Sequence, residues 1–200
     1  AGYVTGPHTL FGEIFALQRG ELVSWAIGES VPTTVRYYRY ECAYDARSTT
    51  DELCETLDAI SLEAFRKIVE TLDGRQVIIP LSGGLDSRFV ASGFKRIGYD
   101  NVICLSYGVP GNQESIRSRA VANALGYQWI YVPYSSEMWE KVLKSPELKE
   151  YRGFSANGVS VPHCDDWPAV RSLRDHADIS DDAIFVPGHT GDFISGGHLK

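Results

Sequence analysis

One junction constrains the fold of this chain more than any other. The unbroken apolar run Val77-Ile78-Ile79-Pro80-Leu81 ends in Ser82-Gly83-Gly84-Leu85-Asp86-Ser87, and apolar residues at helical spacing follow at once in Phe89, Val90, Phe94 and Ile97. A short, continuous apolar run bounded by glycine reads as a buried strand, so the sequence predicts a strand, a tight loop and a helix in succession. Two glycines let main-chain N–H groups approach an anion closely. The helix N-terminus adds partial positive charge, and the two serine hydroxyls add donors. Such a loop is shaped to hold a phosphate chain, although it lacks the Gly-Lys-Ser/Thr ending of the common P-loop. The same residues would also make a plain strand-to-helix turn, with glycine for geometry and Ser or Asp as helix cap.

The remaining chain extends this pattern. Strands over 77–81, 102–107 and 128–132 are each followed by a helix, at 86–97, near 113–125 and around 136–144; after an irregular stretch comes a further strand over 183–187. Strand–helix alternation predicts an α/β fold with a mostly parallel, doubly wound sheet covered by helices on both faces. Ahead of it, Thr49 and Glu52 stand at capping-box spacing, and Leu53, Leu57, Ile60, Ala64, Ile68 and Leu72 keep helical register until Asp73-Gly74. Residues 1–45 read as extended: Thr9–Leu17, a turn at Gln18-Arg19-Gly20, then Glu21–Trp25 and Val35–Tyr40, hairpins that need something else to pack on.

With 200 residues, 44% of them hydrophobic and 22% charged, the chain suits one domain, or one domain plus part of another. A net charge of −7 makes nucleic acid an unexpected partner. There is no membrane-length apolar run and no signal-peptide pattern in residues 1–30. Cys42, Cys54, Cys104 and Cys164 form no Cys-x-x-Cys pair and suit reduced thiols in a cytoplasmic protein, with Cys104 a small core residue. The start at Ala1 and the stop at Lys200, three residues after a Gly-Gly pair, read as the ends of a fragment.

A second glycine-rich loop follows the last strand: Pro187-Gly188-His189-Thr190-Gly191-Asp192-Phe193-Ile194-Ser195-Gly196-Gly197-His198. Ligands of such sheets sit beyond the carboxyl ends of the strands, where both loops fall. Asp86 and Asp192, one from each loop, are candidate magnesium ligands, because Mg²⁺ favours a few carboxylates completed by phosphate oxygens and water. The plainer reading of Asp192 is a loop acid that caps a turn.

Taken in order, these stretches resemble the synthetase domain of asparagine synthetases and their relatives, including β-lactam synthetases. Leu81–Ser87 resembles the pyrophosphate loop of ATP pyrophosphatases, and Cys104–Gly111 resembles the family's second strand. Glu114, Ala120-Val121-Ala122 and Leu125-Gly126 resemble the helix after it, and Gly188–His198 resembles the second conserved segment. Residues 9–40 are similar to the tail of the glutaminase domain that precedes the synthetase domain, which divides the chain into 1–47, tail or linker hairpins, and 48–200, a C-terminally truncated nucleotide-binding domain.

The resemblance implies the pyrophosphate-loop (adenine nucleotide alpha hydrolase-like) fold and an ATP- and Mg²⁺-dependent chemistry. A carboxylate is adenylated with release of pyrophosphate, and ammonia from a glutaminase domain outside this chain, or an amine, then displaces AMP. It implies that Ser82, Gly83, Gly84 and Ser87, with Leu85 and Asp86 of the same loop, bind the nucleotide, cradling the β and γ phosphates. Leu81, Tyr107 and Gly188 match adenosine-contacting positions, and Asp86 and Asp192 hold magnesium. Pro187, His189, Phe193 and His198 depart from the family pattern. His189 stands where the family has a glutamate, and it reads either as a catalytic base or as a residue lining the pocket. A homodimer is compatible with this reading.

Two other classes stay open on sequence: an ATP-binding module without turnover, and another pyrophosphate-loop enzyme of the tRNA-modifying or NAD/GMP-synthetase kind. Among other features, His163-Cys164-Asp165-Asp166 reads as a loop near the site rather than a metal cluster, and Arg117 and Arg119 read as solvated charges within reach of phosphate. Met138 and Trp139 read as packing residues, and Tyr37, Tyr38 and Tyr40 as filling a domain interface.

Overall fold

The structure is a computed structural model and describes residues 3–39, 41, 48–174, 176–189 and 191. The chain forms two compact units, one of residues 1–47 with 145–164 and one of residues 48–144 with 165–200.

In the smaller unit, β1 (Glu21–Ser24) pairs antiparallel with β2 (Thr33–Arg36), Glu21 opposite Arg36 and Ser24 opposite Thr33. An ion pair between Arg36 and Glu21 closes the open end of this hairpin. The strand expected over Thr9–Leu17 is a turn followed by irregular backbone. Thr9 is the cause: its hydroxyl meets the carbonyls of Phe11 and Ile14 at 3.0 and 2.7 Å, folding the chain back locally. A helix, α5 (Pro146–Ala156), starts at an N-cap Ser145 whose hydroxyl accepts from the Leu148 N–H, with Pro146 in the first turn. Much of the stretch expected to be irregular is therefore helical. Asn157 then takes a left-handed conformation, and Val4 and Leu10 donate backbone hydrogen bonds to Val159 and Gly158. Tyr37 and Tyr38 are exposed, and Tyr40 lies outside the described residues.

The larger unit is a four-stranded, all-parallel sheet in the order β5-β4-β3-β6, built from β3 (Val77–Pro80), β4 (Val102–Gly108), β5 (Gln128–Pro133) and β6 (Ile184–Phe185). β6 holds two residues where five were expected. Gln76 anchors its approach, accepting from the Ser180 N–H at 2.9 Å and donating to the Asp178 carbonyl at 2.8 Å.

Successive residues of β3 point to opposite faces, and both faces are covered. Val77, Ile79 and Leu81 join Phe65, Ala91, Phe94 and Ala122 under α1 (Thr50–Leu72), α2 (Leu85–Arg96) and α3 (Gln113–Leu125). Ile78 joins Ile103, Leu105 and Ile130 under α4 (Ser136–Leu143) and α6 (Trp167–Leu173), with Met138 and Trp139 packed there as expected. Each fully buried aliphatic side chain in this double core contributes roughly 1.5–3 kcal/mol. The α1–α2 contact is close at Gly93, where a Cβ would come 2.1 Å from the Phe65 ring. No helix among the described residues is long and apolar enough to cross a membrane.

Candidate functional site

β3 and β6 are neighbours and run parallel, so the two glycine loops leave the sheet side by side. The first is fixed by its own hydroxyls. Ser87 Oγ accepts from the Ser82 N–H at 3.1 Å and lies 3.0 Å from Ser82 Oγ, which in turn accepts from the Gly84 N–H at 3.1 Å. Ser87 is buried, and Leu85 is 75% exposed. Gly84 is the N-cap of α2 and supplies no side-chain cap. The first-turn N–H groups of any helix lack intrahelical partners, and here they sit beside the loop's hydroxyls.

The second loop is pressed against the first. A Cβ on Gly188 would fall 2.7 Å from the Ser87 nitrogen and 2.9 Å from the Asp86 carbonyl carbon; one on Gly191 would fall 2.1 Å from Asp86 Oδ1. No side chain fits at either position. His189 lies between these glycines and is exposed, whereas Asp192 lies outside the described residues, as do Phe193 and His198. The structure thus brings together Ser82, Gly83, Gly84, Asp86, Ser87 and Gly188 from opposite ends of the unit.

Leu81, Ser82 and Tyr107 line a cleft of about 100 Å³ at the carboxyl ends of β3 and β4, with Glu114 and Ser115 on its far side. Ligand pockets usually measure ~300–1,000 Å³, so the cleft is too small to enclose a ligand of that class on its own. Tyr107 stacks on Tyr134 at 5.3 Å between ring centroids. Burial, reinforced by the Asp166, Asp165 and Glu114 carboxylates, pushes the Tyr107 phenol up to about 12. At neutral pH it is a neutral hydroxyl and not a base.

Behind the cleft, sequence reading missed a buried hydroxyl network. Ser106 donates to the Leu81 carbonyl at 2.6 Å, Ser118 donates to the Ser115 carbonyl at 3.0 Å, and the Trp129 indole N–H donates to both hydroxyl oxygens at 3.1 and 3.2 Å. This network fixes the carbonyl of Leu81, the last residue before the first glycine loop. The signal available was Ser106 within the apolar run of β4 and Ser118 on the small-residue face of α3, with Ser115 and Ala122. On the outer side of Asp86, an apolar groove of about 510 Å³ runs along Leu57, Ile60, Phe65, Leu85 and Phe89 to Gly188 and Gly191. It too was not anticipated.

Two guanidinium groups flank the first loop. Arg88 donates from Nε to the Gly84 carbonyl at 2.9 Å, and Arg117 packs its stem on Gly83. Arg119 instead lies over the Trp129 ring, 5.5 Å from its centroid. Of the four-residue run at 163–166, His163 and Cys164 belong to the smaller unit and the two aspartates to the larger.

Of the two candidate magnesium ligands, Asp86 alone lies among the described residues. Asp86 offers a hard carboxylate oxygen at the meeting of the loops, and among the described residues no three His, Cys, Asp or Glu side chains converge as a cage. Phosphate oxygens and water would supply the other ligands, as is usual for this ion.

No protein-family model matches the chain, and no curated protein does. Among solved structures the chain is similar to an NH3-dependent NAD synthetase from Campylobacter jejuni, with a TM-score of 0.39 and 16% identity, over 56% of this chain and 58% of that one. The likeness therefore spans little more than half of either chain.

Proposed function

We propose that this chain is the nucleotide-binding part of an ATP-dependent, amide-forming ligase of the asparagine synthetase type. The observation that carries the reading is the meeting of the two glycine loops, with Gly188 and Gly191 in contact with Ser87 and Asp86 and no space for a side chain. It occurs at the carboxyl ends of neighbouring parallel strands, where ligands of such sheets bind.

In this reading, N–H groups and hydroxyls of Ser82–Ser87 hold the β and γ phosphates of ATP, and the backbone of Leu81, Tyr107 and Gly188 borders the adenosine. A substrate carboxylate oxygen attacks the α-phosphorus. The bond to the α–β bridging oxygen breaks, and pyrophosphate departs with its electron pair, leaving an acyl-adenylate. Ammonia or an amine then attacks the acyl carbon, the acyl–oxygen bond breaks, and AMP leaves. His189 takes the proton that the nitrogen gives up. Asp86 and Asp192 would hold Mg²⁺, which would supply positive charge against that of the phosphates.

The test is product analysis with Mg·ATP, a panel of small carboxylates, and ammonium. Equimolar AMP and pyrophosphate, dependent on the carboxylate, are expected. ADP and phosphate as the sole products would overturn the reading.

A further inference from the structure

We infer that Arg117 is a binding residue for the diphosphate of the nucleotide, a role that rests on the nucleotide reading above. Three observations support it. The first is contact. A Cβ on Gly83 would lie 3.2 Å from Arg117 Cδ and 3.4 Å from Glu114 Cα, so the loop's middle glycine packs directly on α3. Glu114 and Arg117, three apart, share that face of the helix. The guanidinium begins at the next atom beyond Cδ, which puts its donors within reach of a ligand lying on the Ser82–Gly84 backbone.

The second is availability. Arg36, Arg66 and Arg96 each pair with a carboxylate, Arg88 is engaged with the Gly84 carbonyl, and Arg119 covers Trp129. Arg117 is exposed and makes no ion pair among the described residues.

The third is charge. Asp86 belongs to the loop itself, and Glu114, whose Cα packs against Gly83, lines the cleft beside Leu81 and Ser82, so an incoming polyphosphate meets like charge unless a cation offsets it. Arg117 is held for that task by a well-anchored helix. Asn112 caps α3 by accepting from the Ser115 N–H at 2.7 Å, and Ser115 and Ser118 on either side are buried. A guanidinium also matches the geometry of two phosphate oxygens in a way that an ammonium does not.

Calorimetric titration with inorganic pyrophosphate, and separately with adenosine, tests this on the whole chain and on R117A, R117K and R119A. R117A is expected to weaken pyrophosphate binding about ten- to hundredfold with adenosine binding and melting temperature unchanged. R117K should fall between the two, and R119A should bind pyrophosphate like the parent chain. If R117A and R117K both bind pyrophosphate as tightly as the parent, the assignment of Arg117 is wrong while the nucleotide reading stands. If the parent binds neither pyrophosphate nor Mg·ATP, the nucleotide reading falls and this assignment falls with it.

Discussion

At the scale of single residues, two glycines remote in sequence from the first loop decide whether the site can assemble. In G191A the new methyl would overlap Asp86 Oδ1, which lies 2.1 Å away. The overlap should cost about 1–3 kcal/mol in chemical denaturation and, on the proposed function, abolish AMP release. G153A is the contrasting control. It lies within α5 with nothing within 4 Å of its would-be Cβ, so the change should stabilise the chain by about 0.5–1 kcal/mol. Parent-like activity in G191A would show that the loops need not touch.

The residues of the first loop were legible because strand, loop and helix are consecutive. What stayed hidden was pairwise: which atoms of Asp86 and Ser87 face Gly188 and Gly191, and which of Arg88, Arg117 and Arg119 turns toward the loop. A helix period places residues 117 and 119 on different faces, yet only the packing of α3 on Gly83 says which of those faces meets the loop.

At the scale of elements, local signals acted where a cap or breaker was strong. Thr49 and Glu52 form the reciprocal capping box their spacing predicts: the Glu52 N–H donates to Thr49 Oγ1 at 3.3 Å, and the Thr49 N–H donates to Glu52 Oε2 at 2.8 Å. These bonds hold the Glu52 carboxyl below its usual range. T49A should therefore lower stability by about 0.5–2 kcal/mol and T49S by much less, read from urea midpoints; equal midpoints for all three chains would exclude a capping role.

The two helices not anticipated, α5 and α6, carry weaker patterns. α5 interrupts its apolar positions with Gly153, and although Ser145-Pro146 is a legitimate start signal, no continuous stripe follows it. α6 is seven residues long, too short for periodicity to speak, and its N-cap Asp166 makes no side-chain cap bond. The opposite error at Thr9–Leu17 came from counting strand-forming residues without the hydroxyl that folds them back.

For the whole molecule, the parallel sheet was legible because β3 and β4 are apolar on both faces, which an antiparallel sheet with one wet face does not require. The same double burial makes the fold sensitive to alkali. Burial raises the Cys104 thiol from about 9 to about 12 and the Tyr107 phenol from 10 to about 12, and it raises Tyr127 and Tyr134 as well. Each group is neutral when protonated, and the folded state holds the proton more tightly than the unfolded chain. Their contribution is thus complete below the ordinary values and is lost as pH climbs through the raised ones. Urea midpoints should be level in this respect up to about pH 9 and fall between about pH 9 and 12. C104A should soften the fall. A midpoint that rises over that window would contradict the burial of these groups.

The brevity of β6 has a kinetic corollary. The strand is tied to β3 by two register pairs, and two backbone bonds clasp it, Ile184 N–H to Gln76 at 2.8 Å and Val186 N–H to Ile78 at 2.9 Å. So short a seam can unzip at little cost while the rest of the sheet stays shut. On the proposed function, a nucleotide that bridges both glycine loops would act as a clamp on it, slowing deuterium uptake at Ile184 and Val186 and leaving the amides of β4 unaffected.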